Sequence, residues 1–564
     1  SETDGLELKI PVHYPTPVET ELVAEGHTTN AAEIAVKLPT GITPSSASLE
    51  VSTDPDGVAG LEEGLRDLIE YPYGCLEQTT SRLIPLVAVE ELAKSLKLPG
   101  LDGPALQRFI RAGLSKLEKF QTDEGGFSLW VGGQPEPYLT AFALWGLQLA
   151  QEAGHKLPPG MIDRGTTYLR AQLGRDATVA GGAHSELGEL GSRAFAVHVL
   201  GMLKTPDPGY ANKLLERKAE LPRFGEAFLA RALALNLGPQ HPAVTGLLDD
   251  LVRAAEPRGA TAIIREPGGE HLSWYMSDDV RTTAIATDAF LDLRPSEPML
   301  PRLVKGLFGQ RRQGRWMTTQ DNLYALVALT HYVKSRPLGN LTVSATLGDR
   351  KVLDGDFKGK NTHIRRASVS LDVAKPPTAP LTIRATGGDV FYSSVLRFRR
   401  DVAHQKPYEN HVTVRREYLD PASEAPIDPH KGVKVGSVVR VRVTVSSSDW
   451  RNHLAVDDPV PAGLEPINTK LATSGGAPKK DTPRGAGEAE DLDDYDDWRP
   501  SFREMGDDRV LVFIDNLYPG PVSFDYLARA TTAGTFVVAG TTAEEMYQPE
   551  IAARNAPRTF VVRE

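Results

Sequence analysis

At roughly 100–200 residues per domain, a chain of 564 residues is a string of about three to five domains, which excludes a single compact enzyme domain. A 40% share of hydrophobic and 24% of charged residues is ordinary for soluble globular protein, and no run of ~18 apolar residues offers a membrane span. A net charge of −11 has the wrong sign for tracking phosphate backbones, so no nucleic-acid partner is expected; the single cysteine, Cys75, excludes a disulfide framework and any multi-cysteine metal site, so no metal or cofactor is expected either.

The first residues, Ser1-Glu2-Thr3-Asp4-Gly5, lead directly into strand-like alternation at Leu6, Leu8 and Ile10, without a basic n-region, an apolar h-region or a small-residue cleavage site. The chain carries no address of its own and reads either as cytosolic or as a piece of a longer exported protein. Residues 1–57 read as β-structure, with alternation in Glu7-Leu8-Lys9-Ile10 and Ala31 to Leu38, punctuated at Pro39-Thr40-Gly41 and Pro44-Ser45-Ser46. Over 58–335 apolar residues recur at three and four, as in Leu61, Leu65, Leu68 and Ile69, then Leu83, Leu86, Val87, Leu92 and Leu96. About twelve such helical patterns, separated by breaks such as Leu98-Pro99-Gly100 and Pro206-Asp207-Pro208-Gly209, predict antiparallel helix pairs. A weak repeat joins Gly125 to Trp130 before Thr140, His271 to Tyr275 before Thr282, and Gly314-Arg315-Trp316 before Thr318. Its tryptophans are expected to plug junctions between helix pairs, and its threonines to cap helices.

Period-two alternation returns over 336–401, for example in Leu341 to Leu347 and Leu381 to Ala385, and continues through a last β domain at 402–564, most clearly in Val439 to Val445. The stretches 1–57 and 336–401 are each too short for a comfortable core, so the helical block is expected to interrupt one β domain. Gly475 to Trp498, rich in Gly, Pro and charge, reads as a flexible excursion.

Cys75 opens a helical pattern in Tyr71-Pro72-Tyr73-Gly74-Cys75-Leu76-Glu77-Gln78. Side chains three apart on a helical turn are neighbours, so the Cys75 sulfur can reach the Gln78 side-chain carbonyl. Attack there with loss of ammonia closes a β-cysteinyl-γ-glutamyl thioester, and Gly74 permits a tight backbone just before it. Taken alone the spacing is weak, because a lone cysteine is most often a small buried hydrophobe.

The full string Pro72-Tyr73-Gly74-Cys75-Leu76-Glu77-Gln78 resembles the thioester signature of the α2-macroglobulin and complement superfamily. Asp457 to Glu465 and Ala543 to Glu550 are similar to strings of its bacterial branch, which the lack of disulfides also fits. The resemblance implies a multidomain α and β fold: an α/α toroid thioester domain over 58–335, inserted in a CUB-like β domain built from 1–57 and 336–401, followed by a macroglobulin-like β-sandwich at 402–564. It implies a protease trap and not an enzyme: after bait cleavage a nucleophile on the attacking protease, usually a lysine amine, takes the Gln78 acyl group and frees the Cys75 thiol. Bait segment and upstream macroglobulin domains are not in this sequence, so the chain looks like the C-terminal portion of a longer protein in a Gram-negative periplasm or cell envelope.

A thioester must be hidden from water and amines until it is triggered, and aromatic and apolar side chains are the natural shield. Tyr71 and Tyr73 are the local candidates, and Met546 and Tyr547 the candidates from the terminal domain. Some family members carry a histidine that attacks the thioester first and redirects transfer to hydroxyls; His184 is the candidate, with a surface loop histidine as the plainer reading.

Rival readings need other features. A toroid enzyme of the terpenoid-cyclase kind needs clustered carboxylates, and Asp249-Asp250 and Asp278-Asp279 are the adjacent aspartates of the helical block, each equally a cap or solvated surface. A cysteine protease on Cys75 and His184 has the residue types but no matching flanking sequence. A plain binding module would keep Cys75 as a thiol. The acidic run Asp491 to Asp497 lacks the central Gly and closing Glu of a calcium loop, and Arg311 to Arg315 reads as a basic surface turn.

Overall fold

The computed structural model describes residues 18–55, 61–71, 73–88, 103–175, 186–312, 314–335, 340–357, 364–388, 390–400, 402, 405–467 and 500–564. His184, the 475–498 excursion and the 491–497 acidic run lie outside these residues. Among them are twelve α-helices, all between the third and sixth strands in chain order except for the short hairpin β4 (Ala255–Arg258) and β5 (Thr261–Ile264) within the block.

The helices alternate in character. α1 (Glu62–Glu70), α3 (Gly103–Glu118), α5 (Met161–Leu173), α7 (Pro208–Glu216), α9 (Pro242–Ala254) and α11 (Leu300–Gly309) are one-faced. In α3, for example, Leu106, Ile110, Leu114 and Leu117 make the buried stripe of an amphipathic surface helix. α2 (Leu76–Ala88), α4 (Pro137–Glu152), α6 (Glu186–Met202), α8 (Arg223–Leu237), α10 (Asp279–Leu293) and α12 (Thr319–Lys334) are buried on nearly every side, as a helix in the centre of a large core must be. Each of these six packs on the next, and α12 closes on α2, so they form an inner ring and the one-faced helices its outer layer.

Hydrogen bonds show which ends of the inner helices meet. Glu77 at the start of α2 accepts from Thr319 and Gln320 at the start of α12, and Gln320 accepts from Tyr138 at the start of α4 and from Arg281 at the start of α10. One mouth of the ring is therefore lined by helix N-termini. Capping follows the expectation at one threonine only: Thr318 caps α12 in a reciprocal box with Asp321. Thr140 lies inside α4, where its hydroxyl accepts from the Phe127 N–H, and Thr282 inside α10, where Asp278 is the cap.

Strands from either side of the helical block pair with one another. β1 (Glu19–Thr28), β10 (Val390–Phe398), β3 (Ser48–Asp54) and β8 (Arg365–Ser370) form one antiparallel sheet, and β2 (Ala31–Ile34), β9 (Leu381–Thr386), β6 (Leu341–Leu347) and β7 (Arg350–Phe357) a second. Their inward residues, among them Leu49, Val51, Val343, Ile383 and Leu396, share one core. The strands from β11 onward build another sandwich, to which a small sheet of β13 (Val433–Lys434), β23 (Arg558–Arg563) and β20 (Gly534–Val538) adds. A six-stranded sheet orders β11 (Tyr408–Asn410), β22 (Gln548–Arg554), β21 (Thr542–Glu545), β15 (Arg451–Pro459), β18 (Arg509–Leu517) and β17 (Phe502–Met505). It faces β12 (Val412–Leu419), β14 (Val438–Ser447), β19 (Gly520–Ala530) and β16 (Leu464–Pro466) across a core that includes Val441, Val443, Val512 and Phe524.

The six-stranded sheet is apolar on both faces at β15 and β18. Val510, Val512 and Ile514 point into its own sandwich, whereas Leu511 and Phe513, with Ala455 and Met546, join the core of the helical ring. This sheet sits over the mouth lined by helix N-termini. No helix among the described residues is long and apolar enough to cross a membrane.

Candidate functional site

Cys75 and Gln78 lie under that sheet, and both are buried. The Cys75 N–H donates to Gln78 Oε1 at 3.0 Å, and the Gln78 N–H reaches Cys75 Sγ at 3.5 Å. The first turn of α2 thus holds a thiol against a primary amide whose oxygen already accepts from a backbone donor. The turn is fixed from outside by Leu76 N–H donating to Leu129 O at 3.0 Å and from inside by Thr79 Oγ1 donating to Cys75 O at 2.8 Å. Gly74 has no positive φ, and a Cβ there would meet only the tip of the flexible Lys116 side chain.

The residues expected to shield the pair lie around it. Gln78 Nε2 donates to Met546 Sδ at 3.1 Å, and the Tyr547 hydroxyl donates to Glu77 Oε2 at 2.6 Å, beside the Cys75 thiol. Tyr73 is buried between Tyr71 and Phe513, edge-on to both at 5.4 Å. Of the residues singled out from sequence, Tyr71, Tyr73, Cys75, Gln78, Met546 and Tyr547 are brought together. A crevice of about 1480 Å³ reaches the site from outside, with Tyr71, Glu544 and Met546 in its wall.

Met546 is presented by strained backbone. His453 in β15 sits at φ 53°, uncommon for a residue with a Cβ, and its carbonyl accepts the Met546 N–H at 3.0 Å. The His453 ring packs on Trp274 at 4.7 Å and edge-on to Tyr547 at 5.3 Å.

Other parts of the site were not singled out in advance. Glu77 is fully buried, and its carboxylate accepts from Ser81, Thr319, Gln320 and Tyr547. Two of the three repeat tryptophans hold the β domain instead of plugging helix pairs: Trp130 stacks on Phe502 at 5.0 Å and donates to Asp515 at 3.0 Å, and Trp274 meets His453. Only Trp316 is wholly internal, donating to Leu307 O at 2.9 Å. The one sequence signal for this docking is the unbroken apolar run Val510 to Ile514, which marks a strand covered on both faces.

The adjacent aspartates of the helical block are accounted for locally. Asp249 pairs with Arg294, and Asp250 with Lys218 and Arg253. Asp278 caps α10, and Asp279 accepts from Arg265 and from the Glu266 N–H. Arg311 and Arg315 engage Glu25 and Asp67. Among the described residues, no group of three His, Cys, Asp or Glu side chains could hold a metal ion.

Burial dominates the titration of the site. It pushes the Cys75 thiol well above its usual value, with the Glu77 charge adding to it, so free thiolate is disfavoured. Burial also lowers the Lys116 ammonium, against the opposing pull of Glu504. At the edge of the docked sheet, burial raises Glu136 to about 7, helped by the charges of Glu189 and Asp515. The folded value lies above the unfolded one, so the fold binds an extra proton between about pH 4.5 and 7 and loses stability as pH rises through that window. Glu136→Gln is expected to stabilise the chain by about 2 to 3 kcal/mol at pH 8 and to be near neutral at pH 4.5, as read by denaturant unfolding at the two pH values.

Residues 412–550 match the family model of the bacterial alpha-2-macroglobulin MG10 domain, and residues 49–179 that of the A-macroglobulin TED domain. The chain is 23% identical over 576 residues to an alpha-2-macroglobulin homolog of a Nostoc species, a match that covers all of this chain and 29% of that protein. Native Escherichia coli alpha-2-macroglobulin, solved from domain MG7 to the C-terminus, superposes with a TM-score of 0.76 at 20% identity over 97% of this chain and 82% of that one. Salmonella alpha-2-macroglobulin reacted with methylamine superposes at 0.78 with 23% identity, over 98% of this chain and 34% of that one. The closed helical ring, the β-sandwiches and these matches define the class as the α2-macroglobulin superfamily. Within it the chain belongs to the bacterial alpha-2-macroglobulins and corresponds to their C-terminal portion, spanning 29% of the length of the Nostoc relative.

Proposed function

We propose that this chain is the reactive portion of a protease trap, in which Cys75 and Gln78 are joined as an internal thioester. The observation that carries the reading is the juxtaposition of thiol and amide in one helical turn, roofed by Met546 and Tyr547 from another domain. Closure forms a bond from Cys75 Sγ to Gln78 Cδ and releases the amide nitrogen as ammonia. Capture is the reverse in kind: a lysine amine of the attacking protease bonds to Cδ, the C–S bond breaks, and Cys75 regains a thiol. Each molecule reacts once, so it is an inhibitor and not an enzyme. The trigger would be bait cleavage in upstream macroglobulin domains, for which the greater length of the relatives leaves room. A place in the periplasm or cell envelope is proposed with it, from the family resemblance alone. The domain division that goes with this reading is 1–57 with 336–401 as the β host, 58–335 as the thioester domain and 402–564 as the terminal domain.

Intact mass tests the reading directly. The native chain should weigh one ammonia less than its sequence and show no titratable thiol. Methylamine, the reagent used on the Salmonella relative, should add its own mass and expose one thiol per chain, and Cys75→Ala should do neither. A full-mass chain with a free Cys75 would instead favour a plain binding module. His184 is the candidate for the redirecting step, with a surface loop histidine as the plainer reading: a fall in the ratio of glycerol to amine incorporation on His184→Ala assigns it that role, and an unaltered ratio removes it.

A further inference from the structure

A thioester has to be made before it can be guarded, and closure requires moving a proton. The Cys75 thiol must lose its proton to become a nucleophile, and the departing nitrogen of Gln78 must gain one to leave as ammonia. Tyr73, Met546 and Tyr547 pack in the ring core or against it and crowd the pair, so side chains stand where the proton has to move.

The geometry supplies a path. The Tyr547 hydroxyl donates to Glu77 Oε2 at 2.6 Å and neighbours the Cys75 thiol. All of the hydrogen bonds described for the Glu77 carboxylate, from Ser81, Thr319, Gln320 and Tyr547, are ones it accepts, which is the pattern of an ionised carboxylate. The oxygen that turns negative in the tetrahedral intermediate, Gln78 Oε1, already faces the Cys75 N–H at 3.0 Å, within the range of an oxyanion donor. The nitrogen that leaves, Nε2, lies against the Met546 sulfur, next to Tyr547.

Resting on the thioester reading above, we propose that docking of the C-terminal β domain completes the machinery that forms the bond: Tyr547 relays the Cys75 thiol proton to Glu77 and returns it to the Gln78 nitrogen. As the S–H proton passes to the Tyr547 oxygen, the Tyr547 proton passes to Glu77. Sulfur attacks Cδ, the oxyanion forms under the Cys75 N–H, and its collapse breaks the C–N bond. The proton then returns from Glu77 through Tyr547, ammonia departs, and Glu77 is a carboxylate again. No oxidant or further reactant is needed. Tyr547 is the relay beside the reacting sulfur, and Glu77 acts through it as proton acceptor. A chain whose terminal domain had not docked would stay an open thiol and amide.

The test follows closure itself. Ammonium opens the closed chain back to the Gln78 amide and Cys75 thiol; once ammonia is removed, intact mass distinguishes the open chain, at the sequence mass, from the closed chain, one ammonia lighter, and the hydrolysed chain, heavier by the change from amide to acid. Tyr547→Phe, which keeps the ring against His453, and Glu77→Gln are expected to close about 100-fold more slowly than wild type, with Glu77→Asp in between. Wild-type closure should slow in deuterium oxide, and Tyr547→Phe should lose that sensitivity, which a role in packing alone would leave unchanged. Wild-type closure rates in both variants would overturn the proposal, with hydrolysed product counted as closure. A wild-type chain that never loses ammonia would instead remove the thioester reading on which the proposal stands.

Discussion

Truncating Met546 to alanine should make the Cys75–Gln78 site react with methylamine about 30-fold faster than wild type. Met546 is 3% exposed, packs in the core of the helical ring although it belongs to the β domain, and places its sulfur 3.1 Å from Gln78 Nε2. Removing a buried methionine side chain costs about 2 kcal/mol or more, and here the loss falls on the contact between β domain and ring. If amines gain access when that contact opens, about 2 kcal/mol of lost docking raises the open population, and with it the rate, roughly 30-fold. The crevice walled by Tyr71 and Met546 adds a direct route that the smaller side chain would widen. Tyr71→Ala should act in the same direction and less strongly, because Tyr73 and Phe513 still cover the site from that side. Thiol release followed over time gives the rates; a Met546→Ala rate equal to wild type would show that this side chain does not guard the site.

Much of this arrangement was legible in the sequence because it is local. The change of period from two to three-and-four and back marks the boundaries of the helical block, and the Cys75 to Gln78 spacing gives the thiol–amide pair, because an α-helical turn leaves little freedom at three residues' separation. The partners from the β domain are different. Trp130, Trp274 and Glu77 have contacts 385, 179 and 470 residues away, with Asp515, His453 and Tyr547, and no periodicity carries such information. The repeat that suggested helix-junction plugs was real as a pattern, yet two of its tryptophans lie at the mouth of the ring, where the β domain covers them. Thr140 and Thr282 missed the cap role because their helices start earlier, after Glu136 with Pro137 in the first turn and after the capping Asp278, and the buried threonines bond neighbouring loops. Only the unbroken apolar run at 510–514 hinted that a strand of the last domain is covered on both faces.

Asp458→Ala should destabilise the terminal β domain by about 3 to 5 kcal/mol and, through it, uncover the reactive pair. Asp458 falls within the Asp457 to Glu465 string that resembled the bacterial branch, and the structure gives that string a physical task. Its carboxylate is fully buried and meets Arg416 of β12 at 2.9 Å, Tyr526 of β19 at 2.7 Å and Thr541, just before β21, at 2.7 Å. Arg416 also donates to the carbonyls of Pro459 and Ala539, so one ion pair ties both sheets of the sandwich together. Removing the acid leaves a buried guanidinium without its counter-charge, which costs far more than the pair is worth as a whole. The double change Arg416→Met with Asp458→Leu should therefore recover most of the loss, and urea unfolding of single and double variants measures both. β15 carries Asp458 at one end and Asn452, His453 and Ala455, which face the helical ring, at the other, so weakening the sandwich should loosen its grip on α2. Asp458→Ala should accordingly release the Cys75 thiol to methylamine at a lower temperature than wild type, while the double variant behaves as wild type. If the single variant unfolds earlier but reacts no sooner, the sheet guards the site without needing its own core intact.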